Sequence, residues 1–300
     1  MQTTRPLLSI LLHGRNDAYM GNFQWRISTT INKHAQNIFE LNAQKRVEIV
    51  FCDWGSEEHL INVISLSDHA KALLRVVIVP PEVARYYNQD SQYSGPHASN
   101  TSIRRSLGEY LLYSDADNYI TLDSMRIILA ILQQGAINGY SLDCNFFWGS
   151  RYHVPKVFHS SNPSIEELDH YIDQSWPTFL YSKVSKDKFL GGAGALLMTQ
   201  KMWHECHGWD ERLIYWGWSD IDIHYRLASK YGFGDLEDSR VYFFHLDHYS
   251  PDPKTRGYEP EITNRKMNPM RVPTRFVSND ENWGLRDELL PVISWPSLKL

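Results

Sequence analysis

The stretch Tyr110-Leu111-Leu112-Tyr113-Ser114-Asp115-Ala116-Asp117 decides the fold. Four apolar or aromatic residues run into a serine and two carboxylates, the pattern of a buried strand that emerges at a polar edge. Similar short runs at residues 7–12, 47–52 and 74–79 alternate with stretches of helical period. That alternation predicts an α/β fold with a mostly parallel central sheet flanked by helices. The window 122–134 places Leu122, Met125, Leu129 and Leu132 at helical spacing, with Thr121 and Gly135 as its expected caps. Three strands end in polar clusters: His13-Gly14-Arg15-Asn16-Asp17, Asp53-Trp54-Gly55-Ser56 and Ser114-Asp115-Ala116-Asp117. Ligands of open parallel sheets bind at the carboxyl ends of strands, so the three clusters are expected to converge on one site.

A chain of 300 residues, 42% hydrophobic and 22% charged, has material for one large core. The net charge of −5 and the absence of any Lys/Arg-rich run exclude a nucleic-acid partner. Cys52, Cys144 and Cys206 are odd in number and far apart, so they predict neither a disulfide framework nor a cysteine zinc site and fit a reducing, cytoplasmic setting. Residues 7–12 are too short for the apolar section of a leader and read as a strand. No run of eighteen apolar residues predicts a membrane span, which leaves peripheral association with the inner face of a membrane open. Residues 145–187 have weak periodicity and read as loops or short strands shaping a cleft. Residues 250–273 are Pro- and charge-rich. The expected organisation is therefore a domain over 1–249 and an extension over 250–300 that packs on or lids the active site.

Two carboxylates at i and i+2 on a strand end, Asp115 and Asp117, can grip a hard divalent ion, Mg²⁺ or Mn²⁺; the same residues also suit a turn leading into the helix at 122. A second cluster begins at Gly191-Gly192-Ala193-Gly194-Ala195-Leu196-Leu197-Met198. Gly208-Trp209-Asp210-Glu211 and Trp216-Gly217-Trp218-Ser219-Asp220-Ile221-Asp222 follow it. The glycines allow close approach to a ligand, or mark a loop entering a buried strand. Ser219-x-x-Asp222 matches a capping box for a helix reaching about Lys230, in which Asp220 would complement the dipole; a catalytic carboxylate is the other use of Asp220. His245 and His248 follow the apolar run 241–244, where either could reach a metal.

Taken together, these residues resemble the inverting glycosyltransferases of the GT-A, Rossmann-like fold, especially family 2 and the galactosyltransferase-type C-terminal module. The resemblance covers roughly residues 7–249 and is most specific over 191–227. It resembles the family pattern Gly-Gly-x-Gly-Ala, then Gly-Trp/Phe-Asp-Glu, then Trp-Gly-x-Glu-Asp-x-Asp-Leu, with Ser219 in place of the usual Glu. The resemblance implies a metal-dependent transfer of a sugar from a nucleotide-diphosphate donor, UDP by family habit, to an acceptor hydroxyl of a glycan. It implies Asp220 as the catalytic base. Asp53, Arg104, Asp115 and Gly192 would lie at the donor, and Trp216, Trp218 and Asp222 at the acceptor. Asp117, His245 and Asp115 would hold the metal, with His248 as the reserve ligand. Two other enzyme classes come near. A retaining GT-A enzyme shares much of the 191–222 pattern but commonly has Asn in place of Asp220. A nucleotidyltransferase would carry a Gly-rich basic loop after the first strand, which residues 13–17 do not supply. A catalytically weak carbohydrate-binding relative is the reading of a different class that Ser219 admits.

Overall fold

A computed structural model describes residues 5–17, 19–182, 194–248, 262–267 and 275–295. In chain order its strands are β1 (Leu8–Gly14), β2 (Val47–Trp54), β3 (Leu74–Val79), β4 (Tyr110–Ser114), β5 (Asn118–Ile120), β6 (Ala136–Ile137) and β7 (Tyr140–Ser141). They continue with β8 (Asn145–Gly149), β9 (Arg151–Val154), β10 (Leu180–Ser182), β11 (Ala195–Thr199), β12 (Gly232–Asp235), β13 (Phe243–Leu246) and β14 (Val292–Ser294). The main sheet has the order β12-β8-β11-β4-β1-β2-β3-β14. Its centre, β4-β1-β2-β3, is parallel throughout. A second sheet, β10-β9-β13-β5, stands beside it. This is the α/β architecture that the alternation of short apolar runs predicts.

The central strands are apolar on both faces because helices cover both faces. Side chains alternate across each strand. Leu8, Ile10, Leu12, Ile49, Phe51, Val76, Ile78 and Leu112 join one core, with Ile27, Ile31 and Ala35 of the helix Phe23–Glu40 and Met125, Ile128 and Leu129 of the helix Leu122–Gln134. Leu11, Val50, Val77 and Leu111 point the other way, against Ile103, Trp203, Trp209, Ile223 and Leu227. The helix Leu122–Gln134 starts and stops where its caps predict. The Thr121 side chain accepts a hydrogen bond from the Ser124 N–H, and Gly135 takes the left-handed conformation at φ 68°.

Residues 145–182 hold more regular structure than their weak periodicity predicts. The strands there span three to five residues, too few to show a period, and are joined by the helix Ile165–Ser175 with a full capping box between Ser164 and Glu167. The C-terminal extension places β14 antiparallel on β3, and buries Trp283 and Leu285. Arg104 and Arg105, at the end of the helix Gly95–Arg105, hold this segment. Arg104 donates to the Trp283 carbonyl at 2.9 Å and the Glu281 carbonyl at 2.6 Å, with its guanidinium 4.1 Å from the Trp283 ring centre. Arg105 donates to the carbonyls of Gly284 and Leu285, both at 2.8 Å. Arg104, expected at the donor, also tethers the C-terminal segment, with its planar fork on backbone oxygens and an indole face.

Trp283 is nearly inaccessible, so Trp283→Ala should lower stability by about 3–5 kcal/mol. Urea unfolding followed by far-UV circular dichroism measures this, and a loss below about 1 kcal/mol would show that the ring does not anchor the segment.

Candidate active site

The site forms where the chain passes from one sheet to the other. β4 ends at Ser114 and β5 begins at Asn118, so Asp115-Ala116-Asp117 is the corner, closed by a hydrogen bond from the Asn118 N–H to the Asp115 carbonyl at 3.1 Å. Gly194 backs this corner. Its carbonyl accepts from the Asp115 N–H at 2.9 Å and from the Asn118 side-chain amide. A Cβ at Gly194 would lie 2.5 Å from the Asn118 amide nitrogen, so the approach needs glycine. Gly192, assigned to the donor, lies outside the described residues.

Asp117 is buried with charged and polar groups around its carboxylate. His245 Nε2 lies 3.4 Å from one oxygen. The other oxygen meets His248 Nδ1 at 3.1 Å and accepts from the guanidinium of buried Arg26. Arg26 comes from the helix Phe23–Glu40, and also donates to the carbonyls of Tyr19 and Gly21 at 2.8 and 3.2 Å. Burial alone would raise the Asp117 pKa, but His245, His248 and Arg26 together hold it well below the usual carboxylate range. His245 is pushed down to about 4, chiefly by burial, against the attraction of Asp117. At neutral pH the corner thus offers an ionised carboxylate and a neutral imidazole. Asp117, His245 and His248 each bring one ligand atom, and these atoms all lie within 4.8 Å of one another. One carboxylate and two imidazoles form a donor set that could hold a divalent cation. The sequence leaves His245 and His248 as alternatives; the structure brings both to Asp117.

Asp115 turns elsewhere. Its carboxylate accepts from Arg151 Nη1 at 2.5 Å and lies 3.5 Å from the Tyr113 hydroxyl. Among the described residues it belongs to neither of the two metal-capable groups, and the Arg151 cation lies against its charge. Burial first, then the charges of Asp117 and Asp220 push the Asp115 pKa up to about 7, against the pull of Arg151.

The charge of Asp220 is among the causes that raise the pKa values of Asp115 and Tyr113. Asp220 is the second residue of the helix Ser219–Ala228. The expected capping box does not form: Trp218, left-handed at φ 64°, is the N-cap, no side chain caps the helix, and Ser219 is already helical. Asp222 is buried and accepts from Arg226 Nε at 2.8 Å, while Arg226 donates to the carbonyls of Cys206, Gly208 and Phe276. Asp222, expected at the acceptor, is paired with Arg226 one turn along the helix that carries Asp220. Trp216 is half exposed beside it, and the buried Trp218 indole N–H meets no acceptor among the described residues. Asn264 braces the loop before the helix by donating to the carbonyls of Tyr215 and Gly217 at 2.5 and 2.7 Å.

Asp53, at the carboxyl end of β2 beside Gly14 of β1, is fully buried. One of its oxygens accepts from the Ser56 hydroxyl and the other from the Leu60 N–H at 2.9 Å, and Ser56 in turn accepts from the Asn16 N–H at 2.8 Å. It therefore fixes the wall of the cleft near the first strand end. Sequence reasoning missed Arg26 and Arg151. No motif marks either, because each reaches the corner by tertiary packing. Asp247 had a visible signal, since His245 and Asp247 alternate along one strand direction and share a side.

A family model described as glycosyltransferase like family 2 matches residues 22–243. No curated protein matches by sequence. Among solved structures, S. aureus TarS 1–349 in complex with UDP is similar at TM-score 0.50 and 11% identity, over 80% of this chain and 60% of that one. TarS 1–349 in complex with UDP-GlcNAc gives 0.47 and 11%, over 84% and 61%, and S. aureus TarS gives 0.48 and 12%, over 80% and 36%. The chain thus spans between 36% and 61% of these structures.

The raised pKa of Asp115 has a measurable sign. An acid whose folded-state pKa is raised opposes folding once pH passes its ordinary value near 3.8, and the penalty is complete above about 7. Asp115→Asn removes that titration, so the stability of the variant relative to the unsubstituted chain should rise from about pH 5 to about pH 8. Urea unfolding at both values in EDTA tests this, and a difference that ignores pH would contradict the assignment.

Proposed function

The chain belongs to the glycosyltransferase like family 2, a glycosyltransferase family, and on that premise we propose a specific reaction. It transfers a sugar from a uridine-diphosphate donor to an acceptor hydroxyl of a glycan, with inversion and with a divalent cation, Mn²⁺ before Mg²⁺. What supports this reading is the meeting of Asp117, His245 and His248, beside the Asp115–Arg151 pair, at the corner between the two sheets. The UDP in the similar TarS structure supports a uridine nucleotide.

A cation held by Asp117, His245 and His248 would offset the charge that grows on the leaving diphosphate. Arg151, fixed on Asp115, adds a permanent positive charge beside the same groups. Asp220 takes the proton of the acceptor hydroxyl as that oxygen attacks the anomeric carbon from the face opposite the diphosphate. The half-exposed Trp216 offers a flat face to the acceptor sugar. One observation favours a second version of the same reaction. Arg26 already gives Asp117 a cation, so the charge of Asp117 is balanced without metal, and Arg151 could meet the diphosphate in its place.

Thermal unfolding distinguishes the two versions. UDP should raise the melting temperature by roughly 5 °C in the presence of Mn²⁺ and leave it unchanged in EDTA. Asp117→Ala should abolish the shift. An equal shift in EDTA favours the arginine version, and no shift with any nucleotide diphosphate refutes the donor assignment. Asp220→Asn should keep the shift while lowering transfer by roughly 10²–10⁴-fold; unchanged turnover would return Asp220 to a structural part.

A further inference from the structure

His245 stands between two buried clusters. Its Nε2 faces Asp117, and its Nδ1 faces a second group made of His153, on β9, and Asp247. The register of β9 and β13 sets His153 directly beside His245, and their Nδ1 atoms are 3.3 Å apart. One Asp247 carboxylate oxygen lies 3.8 Å from His153 Nδ1 and 3.9 Å from His245 Nδ1. His153 Nε2 is 2.7 Å from the Ser182 hydroxyl, on β10. The Asp247 backbone is fixed on both sides: its N–H donates to the Val154 carbonyl at 3.1 Å, and its carbonyl accepts from His159 Nε2 at 2.8 Å. All three side chains of the second group are buried.

A neutral imidazole carries one N–H and one lone pair, so His245 can present a lone pair to only one of the two clusters. With the hydrogen on Nε2, it donates to Asp117 and closes that face. With the hydrogen on Nδ1, it donates to His153 Nδ1, and the Nε2 lone pair points at the Asp117 corner. In the second arrangement His153 has its hydrogen on Nε2 and donates to the Ser182 hydroxyl. The Asp247 carboxylate lies against the two Nδ1 atoms, and its negative charge favours a hydrogen there over a second lone pair. Because neutral His245 has only one lone pair, it cannot also ligate a cation between His153, His245 and Asp247 while it serves Asp117.

We infer that His153 and Asp247 are positioning residues that hold His245 in the tautomer and ring orientation needed to ligate a cation through Nε2. The inference rests on the assignment of Asp117, His245 and His248 as the cation's ligands. Partners of this kind are worth roughly 10–100-fold in metal affinity.

Titrating the full chain with Mn²⁺ in the presence of UDP, and reading free Mn²⁺ by electron paramagnetic resonance, tests it without reference to turnover. His153→Leu should weaken Mn²⁺ binding by roughly 10–100-fold, whereas His153→Gln, whose amide oxygen can accept from Nδ1–H, should recover most of it. Asp247→Asn keeps the shape and removes the charge; it should weaken binding in the same direction and keeps the test open if His153→Leu does not fold. Unchanged affinity in the folded variants overturns the inference, as does an equal loss in His153→Gln and His153→Leu, which would trace the effect to packing of the ring. Failure of the unsubstituted chain to bind Mn²⁺ would instead remove the metal assignment itself, and this inference with it.

Discussion

The buried carboxylate of Asp117 is the constraint around which the site is arranged. An isolated negative charge at this depth would cost several kcal/mol or would take up a proton. Here it is answered by Arg26 from the helix Phe23–Glu40 and by His245 and His248 from the end of the second sheet. Elements from three regions of the chain must meet for that charge to be tolerated. The packing that seats the helix on the main sheet therefore also fixes one wall of the site, and the pairing of β5 with β13 fixes another.

Neighbouring charges are handled by a different device. Asp115, two residues away, is paired with Arg151 and stays close to neutral pH in its titration. Two carboxylates at one corner thus acquire different characters from their surroundings: Asp117 is ionised between two imidazoles and an arginine, and Asp115 is paired with a second arginine. Asp220 stands in the first turn of its own helix, which the Asp222–Arg226 pair braces.

The parallel centre of the fold was legible because β1, β2, β3 and β4 are apolar on both faces and separated by helices of clear period. The caps of the helix Leu122–Gln134 were equally readable, since Thr121 and Gly135 act through their own backbone neighbours. Asp117, Asp220 and the two histidines were legible as strand-end or helix-start polar residues. What escaped was set by contacts across long sequence separations. Arg104 looks like a cleft residue until the Trp283 segment is laid on its helix. Asp222 looks like part of a capping box until Arg226 takes it up one turn later. Arg26, Arg151 and His153 carry no local signal at all, because strand register and helix packing bring them to the corner.

The strand β14 has a consequence for solution behaviour. It covers the outer side of β3, whose residues Leu74–Val79 form an apolar, β-branched run with its own row of backbone donors and acceptors. An open edge of that composition is a template for pairing with another molecule. The three residues Val292–Ser294 therefore act as a seal against intermolecular sheet growth. A chain shortened before Val292 would expose that edge and tend toward aggregation, even with every residue of the corner between the two sheets intact.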